Sequence, residues 1–245
     1  MKILSIGNSF SCDATRYLHG IAHADKVDIE SVNLYIGGCP LDRHFRNMKG
    51  DYRAYALYFN GQATGFDMSI KEALLSREWD IVTIQQASKK SFKKETYYPY
   101  VVELVRYIKE CAPNAKIIMH ETWAYADGSE RLFKAVGSYN IDDMLDGVKT
   151  AYREVAEELD LDGLIPSGEM FGELLKRGIP TVHRDDASHA SLGLGRYALG
   201  LLWYRMLTGN SVLENSFDDF DVPVSKEEIK IVKEYVETLE PIFEK

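Results

Sequence analysis

Hydrophobic positions along the chain recur with two different spacings, and each spacing predicts one type of secondary structure. Short apolar or alternating runs predict β-strands at residues 2–6, 28–36, 80–84, 116–120 and 164–165. Apolar residues at helical spacing predict α-helices at residues 14–24, 100–111, 141–159 and 190–207. Ser69 and Ser225 each precede a glutamate by three residues, which is the capping-box pattern that opens a helix. Strands and helices therefore alternate along the chain.

A different pattern interrupts this alternation between residues 52 and 66. Tyr55, Leu57 and Phe59 occupy every second position and are followed by Asn60-Gly61. An Asn-Gly pair readily adopts the left-handed backbone that a two-residue hairpin turn requires. The segment is therefore predicted to be a β-hairpin inserted beside the main sheet.

The order of the predicted elements indicates the fold class. Strands that alternate with helices form a mainly parallel sheet with helices on both faces, which is a three-layer α/β/α architecture. No internal repeat and no linker of biased composition divides the 245 residues, and 45% of them are hydrophobic. That fraction suffices for a sizeable core. We therefore predict a single α/β domain spanning residues 1–245.

Polar residues that follow predicted strands are candidate site residues, because an open parallel sheet binds ligands beyond the carboxyl ends of its strands. These positions hold Ser9 after the first strand, Gly38 after the second, Gln85 and Gln86 after the third, Trp123 after the fourth, and Asp186 and His189 near the last. Together these residues contain the parts of a serine esterase.

Ser9, His189 and Asp186 are the residue types of a catalytic triad. A serine hydroxyl is a weak nucleophile and needs a base to accept its proton. His189 is the candidate base, and Asp186 lies three residues earlier, where it can hold the other ring nitrogen. Asp185 is a rival for that role, although the spacing favours Asp186. The alternative for Ser9 is a helix N-cap, which is common for serines that follow strands.

The remaining positions supply groups that bind substrate. The backbone amides of Ser9 and Gly38, with a side-chain amide from Gln86 or Gln85, are candidate donors to the oxyanion of a tetrahedral intermediate. Trp123 is either the floor of a sugar site or a core residue, because a large aromatic face suits both environments.

The motifs around these residues resemble those of SGNH hydrolases. GNSFS, which includes Ser9, resembles the nucleophile block; Gly38 matches the second-block glycine; and DASH, from Asp186 to His189, matches the last block. The strings IQQAS, ETWAYA and LGRYALGLLWYRMLTG resemble a subfamily of unassigned function. The resemblance implies a flavodoxin-like α/β/α fold, hydrolysis of a carboxylic ester such as an acetylated sugar, and no cofactor.

One block departs from the superfamily pattern. The third block usually reads GxND, and its asparagine donates to the oxyanion, whereas this chain has Gln85-Gln86. A glutamine is longer than an asparagine by one C–C bond, about 1.5 Å. The loss of one such donor typically lowers turnover by about 10²–10³-fold. We assign the side-chain donor to Gln86, with Gln85 as the alternative.

Composition narrows the expected partners. The chain has 38 acidic and 29 basic side chains, for a net charge of −9, which repels phosphate backbones and anionic lipid headgroups. Nucleic acid and membranes are therefore not expected partners, and no apolar run is long enough to span a bilayer. The first residues lack a signal-peptide pattern, so a cytoplasmic location is expected. The three cysteines lack CxxC spacing, so neither a disulfide framework nor a zinc site is predicted.

Two alternatives to a serine esterase remain. His183, Asp185, Asp186 and His189 lie close in sequence and are ligand types that suit a divalent metal, so a metal-dependent hydrolase is one alternative. A non-catalytic carbohydrate-binding protein is the other, because a fold alone does not determine function. The sequence favours a serine esterase without a metal, acting on a small-molecule ester such as an O-acetylated sugar. It does not indicate the oligomeric state.

Overall fold

A computed structural model describes residues 1–179 and 182–243 of the chain. Its strands join into one sheet. They are β1 (Lys2–Gly7), β2 (Glu30–Tyr35), β3 (Tyr55–Phe59), β4 (Gln62–Met68), β5 (Ile81–Ile84), β6 (Lys116–His120) and β7 (Gly163–Ile165). The five strands predicted from apolar runs are therefore confirmed.

Helices fill most of the intervals between the strands. They are α1 (Ser9–Thr15), α2 (Leu18–Ala24), α3 (Leu41–Gly50), α4 (Ile70–Leu75), α5 (Ser88–Ser91), α6 (Tyr100–Cys111), α7 (Glu130–Val136), α8 (Asp142–Glu158), α9 (Ser167–Lys176), α10 (Leu194–Thr208) and α11 (Lys226–Glu237), with a 3₁₀ turn at Lys94–Thr96. Within the described ranges, each of these helices is too short or too polar to span a bilayer.

The sheet has the strand order β4-β3-β2-β1-β5-β6-β7. β2, β1, β5, β6 and β7 are parallel, and β3 and β4 are antiparallel at one edge. The chain passes from β1 to β2 on one side and then to β5 on the other. This reversal gives the parallel strands the order of flavodoxin-like folds, and it opens a crevice at the carboxyl end of β1. The predicted fold class is confirmed.

The predicted hairpin forms, but it extends the main sheet instead of lying beside it. Asn60 and Gly61 both have positive φ angles, +47° and +78°, as a two-residue hairpin turn requires. β3 pairs with β2 from Val32–Phe59 to Tyr35–Ala56. The antiparallel strands therefore cover the edge of β2 that would otherwise be unpaired.

Two hydrophobic cores lie on opposite faces of the sheet. Side chains of a strand alternate between faces, so Leu4 and Ile6 of β1 pack with α3, α4, α6 and α8. Ile3 of the same strand packs with α1, α2, α9, α10 and α11. The α/β/α layering predicted from the order of elements follows from this alternation.

Two helix boundaries differ from the prediction. The helix expected at residues 14–24 is two helices, because α1 begins at Ser9 and ends at Thr15 before the chain turns and restarts at Leu18. The helix expected from residue 190 begins at Leu194. Ala190 pairs with His183 in an isolated β-bridge, so its backbone is engaged in a different hydrogen-bonding pattern. α3, α5, α7 and α9 were not predicted.

Candidate active site

The turn after β1 places Ser9 at the start of α1. A side chain on Gly7 would put a Cβ 2.2 Å from Ser11 Oγ, so the turn requires glycine there. Asn8 caps the helix, because its Oδ1 accepts a hydrogen bond from Phe10 N–H at 3.0 Å. Asn8 therefore takes the capping role that was the alternative for Ser9. The Ser9 side chain is left half-buried at the carboxyl edge of the sheet.

His189 and Asp186 meet Ser9 in one hydrogen-bonded chain. His189 Nε2 lies 2.8 Å from Ser9 Oγ, and His189 Nδ1 lies 2.5 Å from Asp186 Oδ2. An imidazole with its proton on Nδ1 donates to Asp186 and accepts from the Ser9 hydroxyl. Asp186 Oδ1 also accepts the backbone N–H of His189 at 2.9 Å. The structure thus places Asp186 and not Asp185 against the imidazole.

The carboxyl group of Asp186 is held in its charged form. Burial by itself would raise the pKa of Asp186, but hydrogen bonds from the His189 ring and from the His189 and Ser188 amides hold that pKa well below its usual range. A permanent negative charge next to Nδ1 favours the imidazole tautomer whose free nitrogen faces Ser9.

Asp13 anchors the loop that carries Asp186 and His189. Its Oδ1 lies 2.5 Å from Arg184 Nη2 and 2.9 Å from Arg196 Nε, and its Oδ2 accepts Ala190 N–H at 3.2 Å. Arg184 and Ala190 flank the Asp186–His189 segment, and Asp13 lies on the same helix as Ser9. The ion pairs therefore join the helix that carries Ser9 to the segment that carries His189. The signal available in the sequence was that Asp13 is the one charged residue between Ser9 and Thr15.

Two residues that line the cavity around Ser9 have backbone amides that are available to bind an anion. Ser9 N–H and Gly38 N–H have no acceptor among residues 1–179 and 182–243, and both residues line one cavity. Gly38 has a φ of +58°, in the left-handed region that favours glycine. Asn8 Nδ2 donates to the carbonyl of Cys39 at 3.2 Å, which links the two turns that carry these amides.

Gln86 and Gln85 do not reach this cavity, so their assignment as oxyanion donors is wrong. Gln86 Oε1 accepts Leu41 N–H at 3.0 Å, and its Nε2 donates to the Thr96 carbonyl at 3.1 Å. Gln85 Nε2 donates to Asn8 Oδ1 at 2.8 Å. Both side chains are buried with their amides engaged in the interior. Gln85 instead orients Asn8, the cap of the nucleophile helix.

Trp123 belongs to the core, so its assignment to a substrate site is also wrong. Its side chain is fully buried and stacks on Phe10 with ring centroids 4.1 Å apart. Its Nε1 donates to the Ser188 carbonyl at 2.7 Å, which fixes the turn before His189. Tyr125, two residues later, does line the cavity, and the guanidinium of Arg131 lies 5.5 Å from its ring centroid.

The triad opens on two adjacent cavities. The smaller has a volume of about 180 Å³ and is lined by Ser9, Gly38, Ala87, Ser88, His189 and their neighbours. The larger has a volume of about 740 Å³ and runs along α5 and α7 to Asp185 and Asp186. Lys89, Tyr125 and Arg131 line both cavities. A bound molecule can therefore extend from Ser9 into the larger space.

The residues of the predicted metal cluster do not converge. His183 Nε2 lies 2.9 Å from the carbonyl of Ala124, and burial lowers the pKa of His183. Within the two described ranges, no group of three or more His, Cys, Asp or Glu side chains is arranged to hold a metal ion. These residues are close in sequence, but their side-chain nitrogen and oxygen atoms are not close in space, because His183 points inward while His189 faces Ser9.

Comparisons with known proteins identify relatives of the same shape. The profile of a family described as a domain of unknown function, DUF4886, matches residues 2–236. A solved DUF4886 family protein from Bacteroides uniformis is 31% identical, with a TM-score of 0.89 over 97% of this chain and 93% of that one. No curated protein matches the chain.

More distant structures share the fold at low identity. A protein from Slackia heliotrinireducens, provisionally described as an SGNH hydrolase, is 20% identical, with a TM-score of 0.60 over 84% of this chain and 97% of that one. A variant of Axe2, an acetyl-xylooligosaccharide esterase from Geobacillus, is 18% identical, with a TM-score of 0.50 over 83% and 90%. The fold implied by the sequence motifs is therefore the fold found.

Proposed function

The chain belongs to the DUF4886 family and has the fold of SGNH hydrolases, and on this premise we propose that it is a serine hydrolase of carboxylic esters. One observation carries the proposal: the hydrogen-bonded chain from Ser9 Oγ through His189 to Asp186. If these three residues were buried, their network would be structural. Instead they border a cavity that Ser9 and Gly38 line, and the amides of those two residues have no acceptor among the described residues.

The proposed reaction has two steps. His189 Nε2 accepts the proton of Ser9 as Oγ attacks the ester carbonyl, and Asp186 stabilises the imidazolium that forms. The amides of Ser9 and Gly38 stabilise the tetrahedral oxyanion. His189 then protonates the leaving alcohol, which leaves an acyl group on Ser9. Water, activated by the same imidazole, hydrolyses the acyl-enzyme and restores the free serine.

We assign the third oxyanion donor to Ser88 in place of the glutamines. Ser88 follows β5 by four residues and lines the cavity that contains Ser9. Its hydroxyl donates to Tyr125 Oη at 3.1 Å, close to the upper end of the hydrogen-bonding range, so it is available to turn toward an oxyanion. A hydroxyl can therefore do here what an asparagine amide does elsewhere in the superfamily.

The finer proposal is that the ester is an O-acetyl group on a carbohydrate. The small cavity beside Ser9 suits a short acyl group, because its volume of about 180 Å³ must hold both the reacting carbonyl and the rest of the acyl chain. The larger cavity has room for a sugar ring and offers it hydroxyl and aromatic groups from Ser129 and Tyr125. The fold neighbour Axe2 is described as an acetyl-xylooligosaccharide esterase, which supports the same substrate class.

Hydrolysis of 4-nitrophenyl acetate tests the serine mechanism. Wild type should release 4-nitrophenol, and Ser9→Ala should lose roughly 10⁴-fold or more in kcat, because the variant lacks the hydroxyl that is hydrogen-bonded to His189. Ser76→Ala, which removes an exposed hydroxyl at the far end of α4, should retain wild-type turnover. Equal rates for Ser9→Ala and wild type would contradict the proposal.

The same assay separates the alternatives. A chelator should leave turnover unchanged if the triad acts and should abolish it if a bound metal ion acts. A non-catalytic binding protein would hydrolyse neither the activated ester nor an acetylated sugar.

A further inference from the structure

Four basic side chains, which we call the cationic rim, surround the larger cavity beside the triad. They are Lys89 and Lys93 on and after α5, and Arg131 and Lys134 on α7. None of the four has an ion-pair partner within the part of the chain that the structure describes, although Lys93 and Arg131 lie over aromatic rings. The α5 segment and α7 therefore both present positive charge to the cavity, and no carboxylate of residues 1–179 and 182–243 forms an ion pair with it.

The four lysines between residues 89 and 94 differ in ion pairing according to the direction in which they point. Lys90 lies 2.7 Å from Asp42, and Lys94 lies 2.6 Å from Glu154, so the two lysines that point away from the cavity are paired. Lys89 and Lys93 point into the cavity and are unpaired. One short segment thus pairs its outward cations and leaves its inward cations free.

Among the described residues, three carboxylates, Glu130, Asp185 and Asp186, also line the cavity, one fewer than the four cations of the rim, so the lining stays net positive. Asp186 is bonded to His189, and Glu130 accepts a hydrogen bond from Tyr139 Oη at 2.8 Å. Asp185 is exposed on the loop beside the triad and not on either helical wall. The chain as a whole carries a net charge of −9. Because such a charge repels anions at long range, local cations are what an anionic ligand needs in order to bind.

Arg131 connects the rim to the nucleophile. Its guanidinium lies over the Tyr125 ring and lines both the larger cavity and the small cavity of Ser9. A stacked guanidinium keeps its donor edge in a fixed plane, which suits the paired oxygens of a carboxylate or a phosphate. An anionic group held there leaves the rest of a sugar within reach of Ser9.

We propose that the substrate is an acylated acidic sugar, whose carboxylate or phosphate binds the cationic rim while its acyl ester lies over Ser9. This inference rests on the proposed esterase function and names its substrate class. The carboxylate and the phosphate share the chemistry that the rim recognises, and the experiment distinguishes them.

Acetate release from three matched sugars tests the substrate class. Methyl glucoside, methyl glucuronide and methyl glucoside 6-phosphate, each carrying a single acetyl group at O3, differ only in the group at C6. Wild type should show a kcat/KM roughly tenfold higher for at least one anionic sugar than for the neutral one, as several exposed ion pairs would give. That advantage should shrink between about 0.05 M and 0.5 M salt, because exposed charges are screened.

Paired variants locate the effect. In Lys93→Gln/Lys134→Gln the ratio of anionic to neutral kcat/KM should fall severalfold toward one. The matched control is Lys109→Gln/Lys176→Gln, which removes two exposed lysines from the ends of α6 and α9, at the opposite edge of the sheet. It should keep the wild-type ratio. Equal rates on neutral and anionic sugars, or a ratio that both double variants change equally, would overturn the proposal.

A binding measurement keeps this inference distinct from the esterase proposal. Glucuronate and glucose 6-phosphate should bind Ser9→Ala by calorimetry, glucose should bind much more weakly, and the rim variant should weaken the anions severalfold. Wild type that cleaves 4-nitrophenyl acetate but binds all three sugars equally refutes the rim alone. If wild type binds the anions but cleaves no ester, the esterase proposal is refuted, while the cationic rim stands as an anion-binding site.

Discussion

Ser9 after β1 and the glutamines Gln85 and Gln86 directly after β5 lie at the same edge of the sheet, but only Ser9 lines the cavity. Ser9 is half-buried beside His189, whereas Gln85 and Gln86 are buried and fully engaged. A position after a strand therefore predicts which edge a side chain occupies. Whether that side chain faces the cavity depends on the buried backbone groups around it. Where such groups lack partners, the side chain turns inward to bond them and supports the site from behind.

Among the variants that test this comparison, Asp186→Asn should show the largest loss of turnover. An asparagine in its place no longer selects the tautomer with a free Nε2, and the corresponding change in a serine protease lowers kcat by about 10⁴-fold. Asp185→Asn, one residue earlier, should change the kcat for 4-nitrophenyl acetate by no more than a few-fold. A larger loss in the Asp185 variant would reverse the assignment.

Asp13→Asn should have the next largest effect, because it loosens the loop that holds His189. Removing one member of a buried ion-pair network costs about 3 kcal/mol in the free energy of unfolding, and we expect kcat to fall by about tenfold or more. Asp42→Asn is the matched control, since Asp42 also pairs with two cations but is 17% exposed against 3% for Asp13.

The measurements for this pair are urea unfolding and esterase turnover. Asp42→Asn should lose about 1 kcal/mol or less in the free energy of unfolding and should retain its kcat. If Asp13→Asn kept both its stability and its kcat, the anchoring role would be refuted.

Gln86→Ala tests the region after β5 directly. The variant leaves the buried Leu41 and Ala87 amides without an acceptor, which costs about 1–3 kcal/mol for each unsatisfied group. Thermal unfolding should therefore shift to lower temperature, while kcat below that transition changes by no more than a few-fold. A loss of about 10²–10³-fold in kcat with unchanged stability would instead show that Gln86 is an oxyanion donor.

Glu121→Gln should have the smallest effect on turnover and a pH-dependent effect on stability. Glu121 follows β6 directly, and burial raises its pKa to about 8. A carboxyl group with a raised folded-state pKa contributes stability that is present at low pH and is lost as the pH rises from its usual value to about 8. A glutamine keeps the acceptor for Glu169 N–H and cannot ionise.

The difference in melting temperature between Glu121→Gln and wild type should therefore favour the variant increasingly from pH 5 to pH 8. A difference independent of pH would mean that Glu121 is already ionised in the folded protein.

The strands and the pairing of Asp186 with His189 were predictable because their signals are local. α6 begins and ends at the predicted residues, because its apolar positions and flanking prolines lie within one segment. Asp186 and His189 are three residues apart, so one turn brings them together. The hydrogen bond from His189 to Ser9 spans 180 positions, and it was expected from the GNSFS and DASH motifs taken together, because His189 follows α9 and not a strand.

What could not be predicted depends on contacts between distant segments. α9 contains Gly168 and Gly172, which weaken a helix locally, yet a Cβ on Gly168 would lie 2.5 Å from the Thr122 carbonyl. The close approach of α9 to the end of β6 therefore explains Gly168, and the sequence alone does not show it. The same holds for Gln86, whose partners Leu41 and Thr96 lie on other elements.

Labelling with a fluorophosphonate tests the central claim most directly, because the reagent reacts with a serine only when a base activates it. Mass spectrometry of the wild type should find one adduct, on Ser9. His189→Ala should label at least about a hundredfold more slowly, while Asp185→Asn should label at the wild-type rate. An adduct on another residue, or labelling of Ser9 at an equal rate without His189, would contradict the account.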